Sequence, residues 1–214
     1  MNKAIITVND ESPRYRQRFS AGHELGHWLS DRGKNVFSCS ENLLSTEWTN
    51  SNREQRANRY AANLLLPDFM FVPRARNQPI TFYTVERLAD EFQTSLTATA
   101  IRLVEYGSYP AMLVCNDKRE LRWFVRGIAV PESLWPKKSL SYDSMAIEVL
   151  HEKGKRPGPT DVPAGAWFDH PESYRYVIRE DSRKITTDLV ITLLWWKNEG
   201  QILDLLDEEE ERES

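Results

Sequence analysis

Residues 23–27 read His23-Glu24-Leu25-Gly26-His27. Two histidines four apart, with a glutamate directly after the first, form a pattern able to hold a metal ion and do hydrolytic chemistry with it. On a helix, at about 100° per residue, the two imidazoles project about 40° apart and can reach one point from successive turns. Glu24 lies about 60° beyond His27. It is therefore outside the ligand pair but able to lean over water at the metal and act as a base. The same letters also suit an ordinary amphipathic helix with two hydrogen-bonded histidines. The rest of the chain has to supply a third ligand.

A catalytic zinc takes three protein ligands and keeps a fourth position open. His151 and His170 stand far along the chain, so a nearer carboxylate is the better source: Glu41, Glu47, Glu54 or Asp68. Glu41 and Glu47 fall in an irregular connection, where an acid is ordinarily solvated. Glu54 shares a helical face with Ala57, Ala61, Leu64 and Leu65, the face that must be packed. A carboxylate there is expensive unless something pairs with it, and a cation does so. Ala57 and Ala61 are small enough to let this helix come close to the first. Asn58, one turn on from Glu54, can orient a ligand from behind. The competing reading of Glu54 is an ion-paired acid in the first turn, favoured by the helix dipole. The candidate constellation is zinc on His23, His27 and Glu54, with Glu24 as the base.

Two helices have to position these residues. Ser12-Pro13 signals a helix start, and the helix is expected to run to about Ser30 with Tyr15, Phe19, Gly26 and Leu29 on one face. Gly26 would let a neighbour approach closely. Ahead of it, "KAIITV" (3–8) reads as a short strand. After a polar connection, a second helix is expected from about Asn52 to Leu66, stopped by Pro67. A helical pair follows in "TVERLADEFQTSLTATAIRLVEYG" (84–107). From Ala111 the texture turns to strands, "AMLVC", "ELRWFVRG", "GAWFDHPESYRYVIRE" and "ITTDLVITLLWW", with a helix near 143–152. The fold class is α+β, an α-rich first half before a strand-rich second half. The expected divisions are 1–76, 77–108, 109–206 and an acidic disordered tail, 207–214.

Charge and composition narrow the function classes. The net charge is −4, but the tail alone holds six acids and one arginine, which leaves the folded body near neutral. That is no nucleic-acid footprint. "LADEFQTSLTATAIRL" (88–103) has the small-residue turn and apolar spacing of a helix-turn-helix, which makes a DNA-binding or signal-sensing regulator with a structural zinc the rival reading. Its second helix offers one arginine and no lysine to a phosphate backbone, too little to anchor DNA. The longest apolar stretch, 189–196, is too short to span a bilayer. The N-terminal apolar run is likewise too short for a signal-peptide core. Cys39 and Cys115 are the only cysteines and form no C-x-x-C, so reduced thiols and a cytoplasmic location are expected.

"RQRFSAGHELGHWL" (16–29) followed by "EQRANRYAANLLLP" (54–67) resembles the ImmA/IrrE family of metallopeptidases. The joint match is far more specific than H-E-x-x-H alone and covers residues 3–67. The following helical pair resembles that family's helix-turn-helix-like segment. The last hundred residues resemble, more loosely, the GAF-like domain of its longer members. The resemblance implies a zincin-like core with zinc on His23, His27 and Glu54, Glu24 as catalytic base, and a helix-turn-helix repressor as protein substrate. Relatives carry a helix and further strand ahead of the segment matching "KAIITV", so a reduced zincin sheet is expected here. Many also place another histidine where this chain has Asp31. A zincin further uses a second electrophile, for which Tyr60, His151 and His170 are candidates on chemistry alone.

Overall fold

A computed structural model of the chain describes residues 5–30, 52–151, 158–170, 173–198 and 200–202. The connection holding Asp31, Cys39, Glu41 and Glu47, and the acidic run 207–214, lie outside the described residues.

Helix α1 runs Arg14–Ser30 and α2 Asn52–Leu65. Pro13 opens α1, its carbonyl accepting from the amides of Arg16 and Gln17. Pro67 ends α2 and directly precedes α3, Asp68–Ala75. Helices α4 (Phe82–Phe92) and α5 (Leu96–Tyr106) follow, each capped by a hydroxyl: Thr81 accepts from the Thr84 amide and Ser95 from the Ala98 amide. Gln93 takes the left-handed conformation, φ 54°, and makes the tight turn between them.

The second half is a five-stranded antiparallel sheet in the order β2-β1-β5-β4-β3. Its strands are β1 (Ala111–Asp117), β2 (Leu121–Arg126), β3 (Thr160–Pro163), β4 (Val177–Lys184) and β5 (Leu189–Trp195). Helix α6, Met145–His151, packs on β4 and β5. Because side chains alternate along a strand, Met112 and Val114 of β1 enter one core with Val149, Leu150 and Trp167. Ala111, Leu113 and Cys115 enter the other with Phe71, Val85, Leu88 and Leu103. Both faces of β1 and β5 are covered, which is why those strands read as unbroken apolar runs. Helices α3 to α5 are thus the lid of one sheet face, and a continuous core crosses from the helical half into the sheet. Within it the Cys115 thiol is pushed up to about 12 by burial, so it stays protonated and unreactive.

On the opposite face Glu180 of β4 is 1% exposed. It accepts from Trp167 Nε1 (2.9 Å), Ser144 Oγ (3.0 Å), the Ala146 amide (2.7 Å) and Ser182 Oγ (3.1 Å). Burial raises its carboxyl against the pull of those donors. The group ties the start of α6 to the middle of the sheet.

Three expectations are corrected. Residues 5–8 of the anticipated strand 3–8 form none, and Ile5 is 93% exposed. Every strand of the described residues lies beyond residue 110, so no edge is available beside α1 to satisfy that backbone. On α1 the buried face is Gly22, His23, Gly26 and His27. Tyr15 is 40% exposed and Leu29 only half-buried, because the face pressed on α2 is chosen by small size rather than apolarity. On α2, Leu64 is 49% exposed, while Ala57, Ala61 and the following Leu66 are buried.

The metal-helix pair is bolted to α4 and α5 by two arginines. Arg18 of α1 donates from Nη1 to the carbonyls of Phe92 (2.7 Å) and Gln93 (2.8 Å), where the negative end of the α4 dipole favours a cation. Arg102 of α5, 5% exposed, donates to the Leu66 carbonyl from Nε (3.2 Å) and Nη2 (3.0 Å). It also reaches Asn63 Oδ1 at 2.9 Å and pairs with Asp68.

Candidate metal centre

The site begins with the contact between α1 and α2. Gly22 and Gly26, one turn apart, face Ala61 and Ala57, also one turn apart. A methyl group at Gly26 would sit 3.0 Å from Tyr60 Cβ, 3.1 Å from Ala57 Cα and 3.2 Å from the Ala57 carbonyl oxygen. At Gly22 its nearest neighbours would be at 3.4 Å, an ordinary contact. The backbones therefore approach until the residues flanking the glycines meet the first turn of α2. Gly26 was legible in the sequence as a close-approach point. Gly22 was missed, although its spacing from Gly26 mirrors that of Ala57 and Ala61.

The two positions respond oppositely to the same methyl. Gly26→Ala forces backbone apart, and overpacking of this kind costs about 1–3 kcal/mol, more than the helix gains by losing a glycine, about 0.5–1 kcal/mol. Gly22→Ala meets no clash and keeps that gain. Urea unfolding of the two variants should place Gly26→Ala below the parent and Gly22→Ala at or above it, with weaker zinc binding in Gly26→Ala alone. The reverse order would mean the helices do not meet at these glycines.

At this contact the three sequence-predicted ligands come together. His23 Nε2 is 3.0 Å from His27 Nε2 and 3.2 Å from Glu54 Oε2, and His27 Nε2 is 3.3 Å from Glu54 Oε1. The imidazoles are buried, while the Glu54 side chain is 34% exposed at the mouth. The His23 ring stacks on Phe19 at 6.3 Å and meets the His27 ring edge-on at 4.6 Å between centroids. His23 Nδ1 lies 2.9 Å from Asn58 Oδ1. As donor to that oxygen, Nδ1 holds the proton and leaves Nε2 as the lone-pair atom. A lone pair facing a carboxylate at 3.2 Å is repulsive unless a cation or proton lies between them.

The donor set fits a divalent cation. Ligands about 2.0–2.2 Å from a tetrahedral zinc stand about 3.3–3.6 Å from one another, a little wider than the separations above. Two imidazoles and one carboxylate suit zinc and its neighbours in the first transition row. Among the described residues this is the one group of three histidine, cysteine or acidic side chains close enough to share an ion. His151, at the end of α6, and His170 do not belong to it, nor does Asp68, which is held by Arg102. Tyr60 lies against Gly26 in the helix interface. Glu24 is half-buried beside His23 and, among the described residues, makes no hydrogen bond or ion pair.

Residues 2–104 match the model of a peptidase family described as the IrrE N-terminal-like domain, family M78. A comparison with curated proteins found no match. The matched segment contains α1 to α4 and nearly all of α5, hence the whole constellation, and it stops before the sheet. That family is metal-dependent, in keeping with two histidines and a glutamate converging from α1 and α2. Residues 2–104 are thus similar to the peptidase domain of the ImmA/IrrE family, the one that the motifs on α1 and α2 resemble.

Proposed function

We propose that the protein is a zinc-dependent endopeptidase that cleaves a helix-turn-helix transcriptional repressor, relieving repression of a stress or mobile-element regulon. The observation that carries the enzymatic half is the convergence of His23, His27 and Glu54 next to an uncommitted Glu24. The substrate half rests on the ImmA/IrrE resemblance. Here α1 and α2 act as the centre of a zincin-like core, and the sheet from β1 onward, within 109–206, as a GAF-like regulatory module. No helix of the described residues is long and apolar enough to cross a membrane. Cytoplasm is the compartment we assign, from a sequence with only two cysteines and no C-x-x-C, and from a cytoplasmic type of substrate.

His23, His27 and Glu54 hold the ion. When bound, zinc supplies Lewis acidity, which acidifies water and polarises the scissile carbonyl. Asn58 keeps the proton on His23 Nδ1 and so keeps Nε2 available. Glu24 takes a proton from the attacking water and returns it to the leaving amine nitrogen, the two halves of general acid–base catalysis.

The rival regulator reading loses its anchor in this fold. Arg102, the lone cation on the candidate recognition helix, is consumed by Leu66, Asn63 and Asp68. The Arg18 guanidinium also sits on the turn that a helix-turn-helix would need free.

The test uses a helix-turn-helix repressor, where one is encoded beside this chain. Incubated with zinc-loaded protein, that repressor should give two defined fragments by mass spectrometry, and none after chelation. An intact repressor at stoichiometric enzyme would remove the substrate half of the proposal. Zinc binding without cleavage of any helix-turn-helix protein would return the site to a structural role.

A further inference from the structure

The seam between α1 and α2 sets how close the two helices come, but it has little grip on how α1 is turned about its own axis. Gly22 and Gly26 present no side chain to interlock with Ala61 and Ala57. Among the described residues, neither apolar core takes a side chain from α1. A helix held in this way can roll. Roll matters at the ligands, because an atom about 6 Å from a helix axis moves about 1.6 Å for a turn of about 15°. Metal–ligand distances hold to within about 0.2 Å.

The angle is therefore set from outside the seam. Measured from Arg18 at about 100° per residue, Gly22 and Gly26 stand at about 40° and 80°, His23 and His27 at about 140° and 180°. The seam lies between two flanks of α1, with the imidazoles on one and Arg18 on the other. Arg18 Nη1 donates to the carbonyls of Phe92 (2.7 Å) and Gln93 (2.8 Å) at the end of α4. One charged nitrogen makes both bonds, and charge-assisted bonds are stronger than neutral ones. A roll that displaces His23 and His27 also draws Arg18 off those carbonyls.

Helix α4 is a firm post for this tether. Six of its eleven residues are buried. At its start the Phe82 amide donates to Asp181 Oδ2 of β4 at 2.7 Å, and Glu86 pairs with Arg183 of the same strand at 3.0 Å. Through α4 the orientation of α1 is thus referred to the sheet, far along the chain from the ligands.

We propose that Arg18 is a positioning residue of the metal centre, setting the roll of α1 against α4 so that His23 and His27 meet the ion opposite Glu54. The proposal rests on the metal-centre reading and adds to it a residue outside the ligand set.

Competition titration of the full-length chain with Zn2+ against a chromophoric chelator tests it, beside the visible absorption of the Co2+-loaded chain. Arg18→Gln removes the charge and is too short to reach both carbonyls. Its zinc affinity should fall about tenfold, the lower end of the usual effect of losing support behind a metal ligand, and its Co2+ band should change shape. Arg18→Lys places one ammonium where one nitrogen served both carbonyls, so it should recover most of the affinity and the parent's band. Val149→Ala empties part of the opposite core and destabilises the fold without touching α1; its affinity and band should match the parent's. Parent-like affinity and band in Arg18→Gln, no recovery in Arg18→Lys, or an equal loss in Val149→Ala would overturn the role. A parent chain that binds no ion would instead remove the metal-centre reading itself, and the role of Arg18 with it.

Discussion

Glu24→Gln should keep one zinc per chain and lose repressor cleavage by about 10²–10⁴-fold. The amide preserves the shape of the side chain and its capacity for hydrogen bonds, but it cannot accept a proton from water. It removes nothing from the ligand set, because the three converging donors are His23, His27 and Glu54. Glu54→Gln should fail differently. It replaces the anionic donor that faces both imidazole nitrogens at 3.2 and 3.3 Å with a neutral amide. Zinc content should fall, and cleavage with it. His23→Ala and His27→Ala should follow Glu54→Gln. Elemental analysis beside a cleavage assay separates the two classes. Loss of zinc in Glu24→Gln to the same degree as in Glu54→Gln would break this division of roles, as would full zinc and activity in Glu54→Gln.

Arg102→Met should lower stability by about 2–4 kcal/mol, the loss of several hydrogen bonds from one buried charged donor. In a chain of this size that corresponds to a melting point about 5–15 °C lower. The variant strands the Leu66 carbonyl, which now accepts twice from the guanidinium, and releases Asn63 and Asp68. It also loosens the end of α2, the helix that carries Glu54. Binding to random duplex DNA should be feeble and salt-sensitive in the parent and unchanged in the variant. A variant that keeps its melting point but loses affinity for a specific operator would make α5 a recognition helix and put the regulator reading first.

The convergence of the three candidate ligands was largely readable without a structure, for a physical reason. Spacing along one helix fixes angles, so His23 and His27 had to project together, and Glu24 had to stand aside from them. Helix limits were equally local: Pro13 and Pro67 act through the backbone of their own neighbourhoods, and α1 and α2 begin and end where those prolines require. Glu54 was reached by an argument about cost, a carboxylate on a face with Ala57 and Ala61, which needed only one helix and the price of burial. Other features depend on partners distant in sequence, and these only the tertiary structure decided. Residues 5–8 have strand-forming side chains but, among the described residues, no neighbouring strand. The face of α1 that is buried was set by where two glycines meet two alanines, not by where its apolar residues lie. Arg102 reads as a lone cation, too little to anchor DNA, when only its own helix is considered. It became a buried clamp because α5 lies over β1 and β2 with α2 ending beside it. Local periodicity determines which side chains can act together. Only packing between distant segments determines which of them are left free to act.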